Sequence, residues 1–164
     1  MKNATFYIIS QEKLPIKNIN YKKDFKEEKY FTKLYSYEIL ACKLASKYWR
    51  SGKRILINCE NKIQAQRLDK ILWQRIPEEF IPHNLVGDGP KDGAPVELAW
   101  PEQYGNSSRD LLINLLPQLT DFTITFHQVI DFVPCEENLK QLARERYKSY
   151  RRAGFRLITT ILPT

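Results

Sequence analysis

Apolar residues in the first half of this chain alternate between continuous runs and helical spacing. Short apolar runs at residues 5–9 and 54–59 are typical of buried strands. After each run, apolar residues recur every three or four positions, which predicts amphipathic helices over residues 37–48 and 63–72. A Ser-Gly pair ends the first helix and a proline follows the second. The order strand, helix, strand, helix is therefore predicted.

The second half begins with a loop-rich stretch. Residues 77–101 are rich in proline and glycine, and only residues 79–81 and 96–100 look extended. The apolar residues between positions 117 and 126 make a short helix possible there. The remaining predicted elements are strands at residues 111–115, 128–133 and 155–161, and a helix at 137–152 that Gly154 ends.

Alternating strands and helices predict a three-layer α/β/α fold, Rossmann-like, with a mostly parallel sheet. A chain of 164 residues with 43% hydrophobic content suits a single domain over residues 1–164. Between residues 11 and 33, Lys, Glu and Asn alternate with single apolar residues. We expect a surface excursion there.

The predicted helix at residues 137–152 has two faces. At about 100° per residue, one arc enters the core and contains Leu139, Leu142, Ala143, Tyr150 and Ala153. A second arc forms a positive stripe with an aromatic ring, made of Lys140, Arg144, Tyr147, Lys148 and Arg151. Such a stripe suits a flexible acidic ligand, because long cations reach carboxylates and arginine binds them bidentately. The alternative is a solvated charged face.

Composition narrows the classes of partner and compartment. Lys and Arg outnumber Asp and Glu by 26 to 19, giving a net charge of +7, which favours a nucleic acid or an acidic protein tail. Cys42, Cys59 and Cys135 form no CxxC pair, so neither a disulfide framework nor a zinc site is indicated. No apolar stretch has the length of a signal peptide or a membrane span. We expect a soluble, cytoplasmic protein.

Two glycine-containing segments resemble nucleotide loops but lack the required spacing. Residues 87–93 contain GxG but place the third glycine one position late, and residues 51–54 have an arginine where a phosphate loop has Ser or Thr. We therefore expect no nucleotide cofactor and no metal.

No catalytic constellation is evident. His83 is interpreted as a loop hydrogen-bonder and His127 as structural. Asp69, Glu97 and Asp131 lie on different elements with no pairing pattern. We expect no active site.

Two large aromatics flank a polar, proline-marked turn. Trp73 ends the second predicted helix and Phe80 follows the turn. At the rim of a sheet they would suit a protein interface; equally, they would suit a cap on the core. Periodicity leaves both open.

Seven segments, in order, resemble the chi subunit family of the bacterial DNA polymerase III holoenzyme. They are residues 1–7 (MKNATFY), 49–54 (WRSGKR), 82–85 (PHNL), 93–97 (GAPVE), 99–101 (AWP), 131–134 (DFVP) and 139–148 (LKQLARERYK). The likeness covers nearly the whole chain. The chain departs from it between Ile9 and Tyr37, where it looks about sixteen residues longer, so we expect a surface insertion at about residues 11–36.

The resemblance implies a non-catalytic, clamp-loader-associated subunit of a DNA-directed DNA polymerase, with no active site of its own. In the family, chi pairs with a psi subunit that tethers it to the clamp-loader subunits, and also holds the acidic C-terminal tail of single-stranded DNA-binding protein (SSB). The resemblance thus implies that the protein contacts nucleic acid only indirectly, through its partners. Carried over by motif, the SSB-tail residues are Val133, Lys140, Arg144, Tyr147 and Lys148.

The resemblance assigns psi binding to Trp73 and Phe80, a surface for which a DNA-repair helicase relative is thought to compete.

Two functions of other classes remain. One is direct single-stranded nucleic-acid binding, favoured by the positive charge and the 12% aromatic content. The other is a small enzyme using His83 or Cys59, which lacks a supporting constellation.

Overall fold

The computed structural model describes residues 1–9, 36–74, 80–90, 92–103 and 109–161. Its strands are β1 (Asn3–Ile8), β2 (Ile55–Asn58), β3 (His83–Leu85), β4 (Val96–Ala99), β5 (Leu111–Asn114), β6 (Gln128–Val133) and β7 (Arg156–Ile161). The helices among these residues are α1 (Ser36–Arg50), α2 (Lys62–Gln74) and α3 (Glu137–Arg152), and a 3₁₀ turn is formed by Thr123–Thr125.

The seven described strands form one sheet in the order β3-β4-β2-β5-β6-β1-β7, and every pairing is parallel. The central strands β2, β4 and β5 are buried at every position, as expected for a sheet covered on both faces. The predicted parallel α/β sheet is therefore confirmed.

Two apolar clusters separate three layers. The larger cluster joins the sheet to α1 and α2. The smaller one lies on the other face, where Tyr150 of α3 packs against both Phe6 of β1 and Phe155. The three-layer α/β/α prediction is thus confirmed, with α3 on the opposite face of the sheet from α1 and α2.

Helix α3 crosses its face of the sheet diagonally. It begins four residues after the carboxyl end of β6, and it ends at a turn that leads into the amino end of β7. Gly154 makes this turn with a φ of 90° and donates its N–H to the Arg151 carbonyl, a backbone conformation that other residues rarely adopt. Midway, Tyr147 and Tyr150 pack on Phe6 of β1.

Two predicted elements differ from the structure. Of the extended piece expected at residues 79–81, the described residues 80 and 81 are not in a strand; β3 begins at His83 instead, so His83 belongs to a strand and not to a loop. The short helix left open at residues 117–126 is only turns and the 3₁₀ segment. The surface insertion at residues 11–36 falls almost entirely outside the described residues and stays a prediction.

Candidate functional site

The positive stripe of α3 faces outward along the flank of the helix. Arg144 and Lys148 keep 55% and 64% of their side-chain surface exposed. Lys140 and Tyr147 are half-buried, as is Val133 at the end of β6. Since the aromatic ring and the valine side chain both pack against the smaller core cluster, they form the inner side of this surface and the cations its outer side.

Tyr147 is held from two directions. Its ring lies 5.4 Å from the Phe6 ring, between centroids, and the Arg151 guanidinium lies 5.3 Å above it. A cation over an aromatic face is attractive, so the pair restrains the ring. Tyr147 therefore offers a fixed wall that needs little ordering when a ligand binds.

The charges on the stripe are weakly engaged. Arg144 lies 3.6 Å from a carboxylate oxygen of Glu137, and Lys148 lies 3.7 Å from one of Glu145. Exposed ion pairs of this kind contribute about 0–1 kcal/mol, so an incoming acidic ligand displaces them at little cost. With six cationic residues and two carboxylates, α3 is strongly positive overall.

One cation of α3 is buried instead. The Arg146 Nε donates to both carboxylate oxygens of Asp131, at 3.2 and 3.0 Å, and its other nitrogens donate to the Pro117 and Phe132 carbonyls. Tyr150 donates its hydroxyl to the same carboxylate at 2.9 Å. The sequence shows no pairing pattern for Asp131, because its partners lie on α3 and reach it only where the fold brings that helix over β6.

The Asp131 network fixes α3 on the sheet. Burial lowers the pKa of Arg146, but the Asp131 charge and hydrogen bond outweigh it and leave the pKa raised. Burial, aided by the Asp131 charge, also raises the pKa of Tyr150 well above its usual value. Both side chains thus keep their protons and continue to donate to Asp131. Because these hydrogen bonds hold α3 on the sheet, the stripe has a defined position.

We expect folding stability to fall as the pH rises above about 8.5. Burial raises the pKa of Tyr7 to about 12, and it raises the pKa values of Tyr150, Cys42 and Cys59 well above their ordinary values. Such groups stabilise the fold fully below their unfolded pKa values, which lie near 8.5 for Cys and 10 for Tyr, and that stability is lost as the pH rises toward the folded values. Urea midpoints at pH 7.5 and 10.5, with reductant, measure this; equal midpoints contradict it.

Trp73 and Phe80 lie on the surface at the β3 edge. They are 55% and 69% exposed, and their ring centroids are 5.7 Å apart. The Trp73 ring also packs on His83 at 4.7 Å. The alternative that these aromatics cap the core is therefore wrong; they form a supported, exposed apolar pair.

Two other acidic residues also have partners. Glu97 forms an ion pair with the Arg109 guanidinium, and Asp69 lies 3.1 Å from the His83 Nε2, although without hydrogen-bond geometry. His83 uses its Nδ1 on the Ile81 carbonyl at 2.7 Å, the local hydrogen bond that the sequence predicted. These contacts hold the β3 edge together beneath Trp73.

A cavity of about 130 Å³ lies on the other flank of α3. It opens at the carboxyl ends of β5 and β6, where open α/β sheets bind ligands. Leu139, Leu142 and Arg146 line it from α3, and none of the five predicted tail residues does. Within the arc predicted to enter the core, Ala143 and Tyr150 are buried, whereas Leu139 and Leu142 are half-buried.

Among the described residues, no three His, Cys, Asp or Glu side chains come close enough together to hold a metal ion. No helix in that part of the chain is both long and apolar enough to cross a membrane.

The stripe and the aromatic pair lie far apart. Trp73 and Phe80 flank β3, the first strand of the sheet order, whereas α3 crosses β6, β1 and β7 at the other end. With a spacing of about 4.8 Å between strands, the two edges are roughly 30 Å apart. Helix α2, which carries Trp73, also lies on the opposite face from α3.

Comparisons with known proteins agree on one family. Residues 1–158 match the family model described as "DNA polymerase III chi subunit, HolC". The chain is 50% identical to DNA polymerase III subunit chi of Escherichia coli strain K12 over 159 residues, 97% of each chain. It is 49% identical to the subunit of that name from Haemophilus influenzae and 39% identical to that from Pseudomonas aeruginosa, over 74% and 76% of this chain and 85% of each relative. The chain therefore belongs to the DNA polymerase III chi subunit family.

Proposed function

We propose that the protein is a non-catalytic accessory subunit that joins SSB to the clamp loader of the replicative polymerase, in the cytoplasm. The α3 stripe holds the acidic C-terminal tail of SSB. Trp73 and Phe80 hold psi, which connects the protein to the clamp-loader subunits. The observation that carries the proposal is the separation of these two surfaces, on opposite edges and opposite faces of one sheet. Two ligands bound there do not collide.

The chemistry of the stripe suits such a tail. SSB tails of this family's partners end in an aspartate-rich run followed by Pro-Phe and a free carboxylate. Arg144 presents a planar fork that binds a carboxylate bidentately, and Lys140 and Lys148 supply neighbouring point charges. Val133 and Tyr147 offer apolar surface to the terminal ring. The contact is short and partly ionic, so we expect a dissociation constant on the order of micromolar that rises with salt.

Arg144→Ala is expected to weaken binding of an SSB-tail peptide at least tenfold, because the variant removes the bidentate partner of a carboxylate. Arg144→Lys keeps the positive charge but not the planar guanidinium. Its affinity for the peptide should therefore lie between those of Arg144→Ala and the native protein. Isothermal titration calorimetry at low and high salt measures both.

Lys43→Ala is the matched control for the tail experiment. It removes one positive charge from an exposed position on α1, across the sheet from the stripe, and should change affinity less than twofold. Unchanged binding by Arg144→Ala contradicts the tail assignment. Tight binding of bare single-stranded DNA, unaffected by SSB, would instead favour the direct nucleic-acid binder.

The aromatic pair supports the psi assignment in a similar way. Exposed tryptophan with a packed aromatic neighbour is the kind of side chain that dominates the energy of protein interfaces. His83 beneath Trp73 holds the indole in place before any partner arrives. The same exposed pair is a surface for which a helicase relative would compete with psi.

A further inference from the structure

The sheet register places three apolar side chains in a row at the carboxyl end of the sheet. Ile8 pairs with Val133 of β6 on one side and with Ile161 of β7 on the other. Side chains alternate along a strand, so residues aligned in register point to the same face. Ala4, Phe6 and Leu157 lie on the α3 face at matching positions, and the row of Val133, Ile8 and Ile161 therefore lies on that face as well.

The diagonal course of α3 leaves part of this row uncovered. The helix starts above β6 and moves toward the amino end of β7, so α3 does not cover the carboxyl ends of β1 and β7, and neither of the other two described helices lies on that face. Ile161 is 70% exposed, and Val133 and Ile8 are half-buried. Within the part of the chain that the structure describes, these three side chains thus form an apolar corner beside the helix.

The stripe of α3 borders this corner. Tyr147 packs on Phe6 of β1, whereas Arg146, about 100° away in the arc that faces the sheet, reaches the Pro117 carbonyl in the segment after β5. The flank with Tyr147 therefore faces β1 and β7, and Lys140 and Arg144 lie on that same flank. Cations and apolar side chains meet along one line, a combination suited to a peptide that is acidic and ends in an aromatic residue.

We propose that the apolar floor of the tail site extends from Val133 across Ile8 to Ile161, so that the last aromatic ring of the acidic tail rests on the ends of β1 and β7. This inference rests on the proposed function of the stripe. The occupant is a peptide with a terminal Phe and a free carboxylate: the ring covers the isoleucines while the carboxylate stays with the cations of α3. Ile8 and Ile161 then select for a large apolar last residue.

The test measures tail-peptide affinity by calorimetry for Ile161→Ala and Ile161→Asp. Removing apolar contact with the ring should cost about threefold for alanine, and a carboxylate beside the acidic tail should cost at least tenfold. Ile63→Ala and Ile63→Asp are matched controls, because Ile63 is 67% exposed on α2 across the sheet. They should change affinity less than twofold.

A second peptide, with the terminal Phe replaced by Ala, isolates the contact. If the ring rests on Ile161, the loss caused by Ile161→Ala disappears with this peptide, since the partner group is already gone. Equal losses with both peptides, or no loss with either, overturn the inference.

Different results would contradict the extended floor and the proposed function of the stripe. If Arg144→Ala abolishes binding while both Ile161 variants bind as the native protein does, the proposed function stands and the extended floor is wrong. If Arg144→Ala also has no effect, the tail assignment itself is wrong. Thermal melting of each variant confirms that exposed position 161 has been changed without loss of the fold.

Discussion

Asp131→Ala is expected to lower the free energy of unfolding by about 3–5 kcal/mol, the largest stability effect of any single substitution considered. The Asp131 carboxylate is fully buried and accepts hydrogen bonds from Arg146, Tyr150 and Asn114. Without it, the guanidinium of Arg146, a residue that is only 8% exposed, remains buried with no counter-charge. The desolvation cost of that charge has no compensation, which makes the loss large.

A double replacement tests the cause. Asp131→Leu combined with Arg146→Met leaves no unpaired charge and should recover much of the stability that Asp131→Ala loses. Asp121→Ala, which removes an exposed carboxylate, should change stability by less than about 0.5 kcal/mol. Urea unfolding followed by circular dichroism measures all three. If Asp131→Ala and the double variant are equally unstable, cavity formation and not the unpaired charge is the dominant cost.

The elements with strong local patterns were predictable from the sequence. The four buried residues of β2 follow from a continuous apolar run, which is typical of a strand covered on both faces, and the two faces of α3 follow from helical spacing. For the same reason, Arg144 and Lys148 were correctly placed on an exposed flank. The edge strand β3 was missed because its three half-buried residues carry almost no pattern.

The buried network was missed for a different reason. Asp131 and Arg146 are fifteen residues apart on two elements, and nothing local indicates that they pair. A clue was nevertheless available: on a helical wheel Arg146 falls inside the apolar arc of Leu139, Leu142 and Tyr150. A cation in an apolar arc is rarely buried without a partner. The acidic residue in the middle of the apolar strand β6 was the natural candidate.

Trp73→Ala is expected to abolish co-purification with psi while leaving SSB-tail affinity within twofold of the native value. The indole is more than half exposed, yet it is fixed by Phe80 and His83. Truncation of such an interface anchor costs at least about 2 kcal/mol, roughly thirtyfold in affinity. Pull-down of tagged protein co-expressed with psi, and calorimetry with the tail peptide, measure the two activities on one variant.

Phe80→Ala should reproduce the psi defect, because it removes the ring that packs on Trp73. Ile63→Ala, on the helix α2 that also carries Trp73, should keep psi binding. The reciprocal variant, Arg144→Ala, should retain psi and lose the tail. This crossed pattern is what a bridging subunit requires: each surface must work when the other is damaged, since they lie on opposite edges and faces of one rigid sheet. Loss of both activities in Trp73→Ala would point to a disturbed fold, and retention of psi would remove the aromatic pair from the interface.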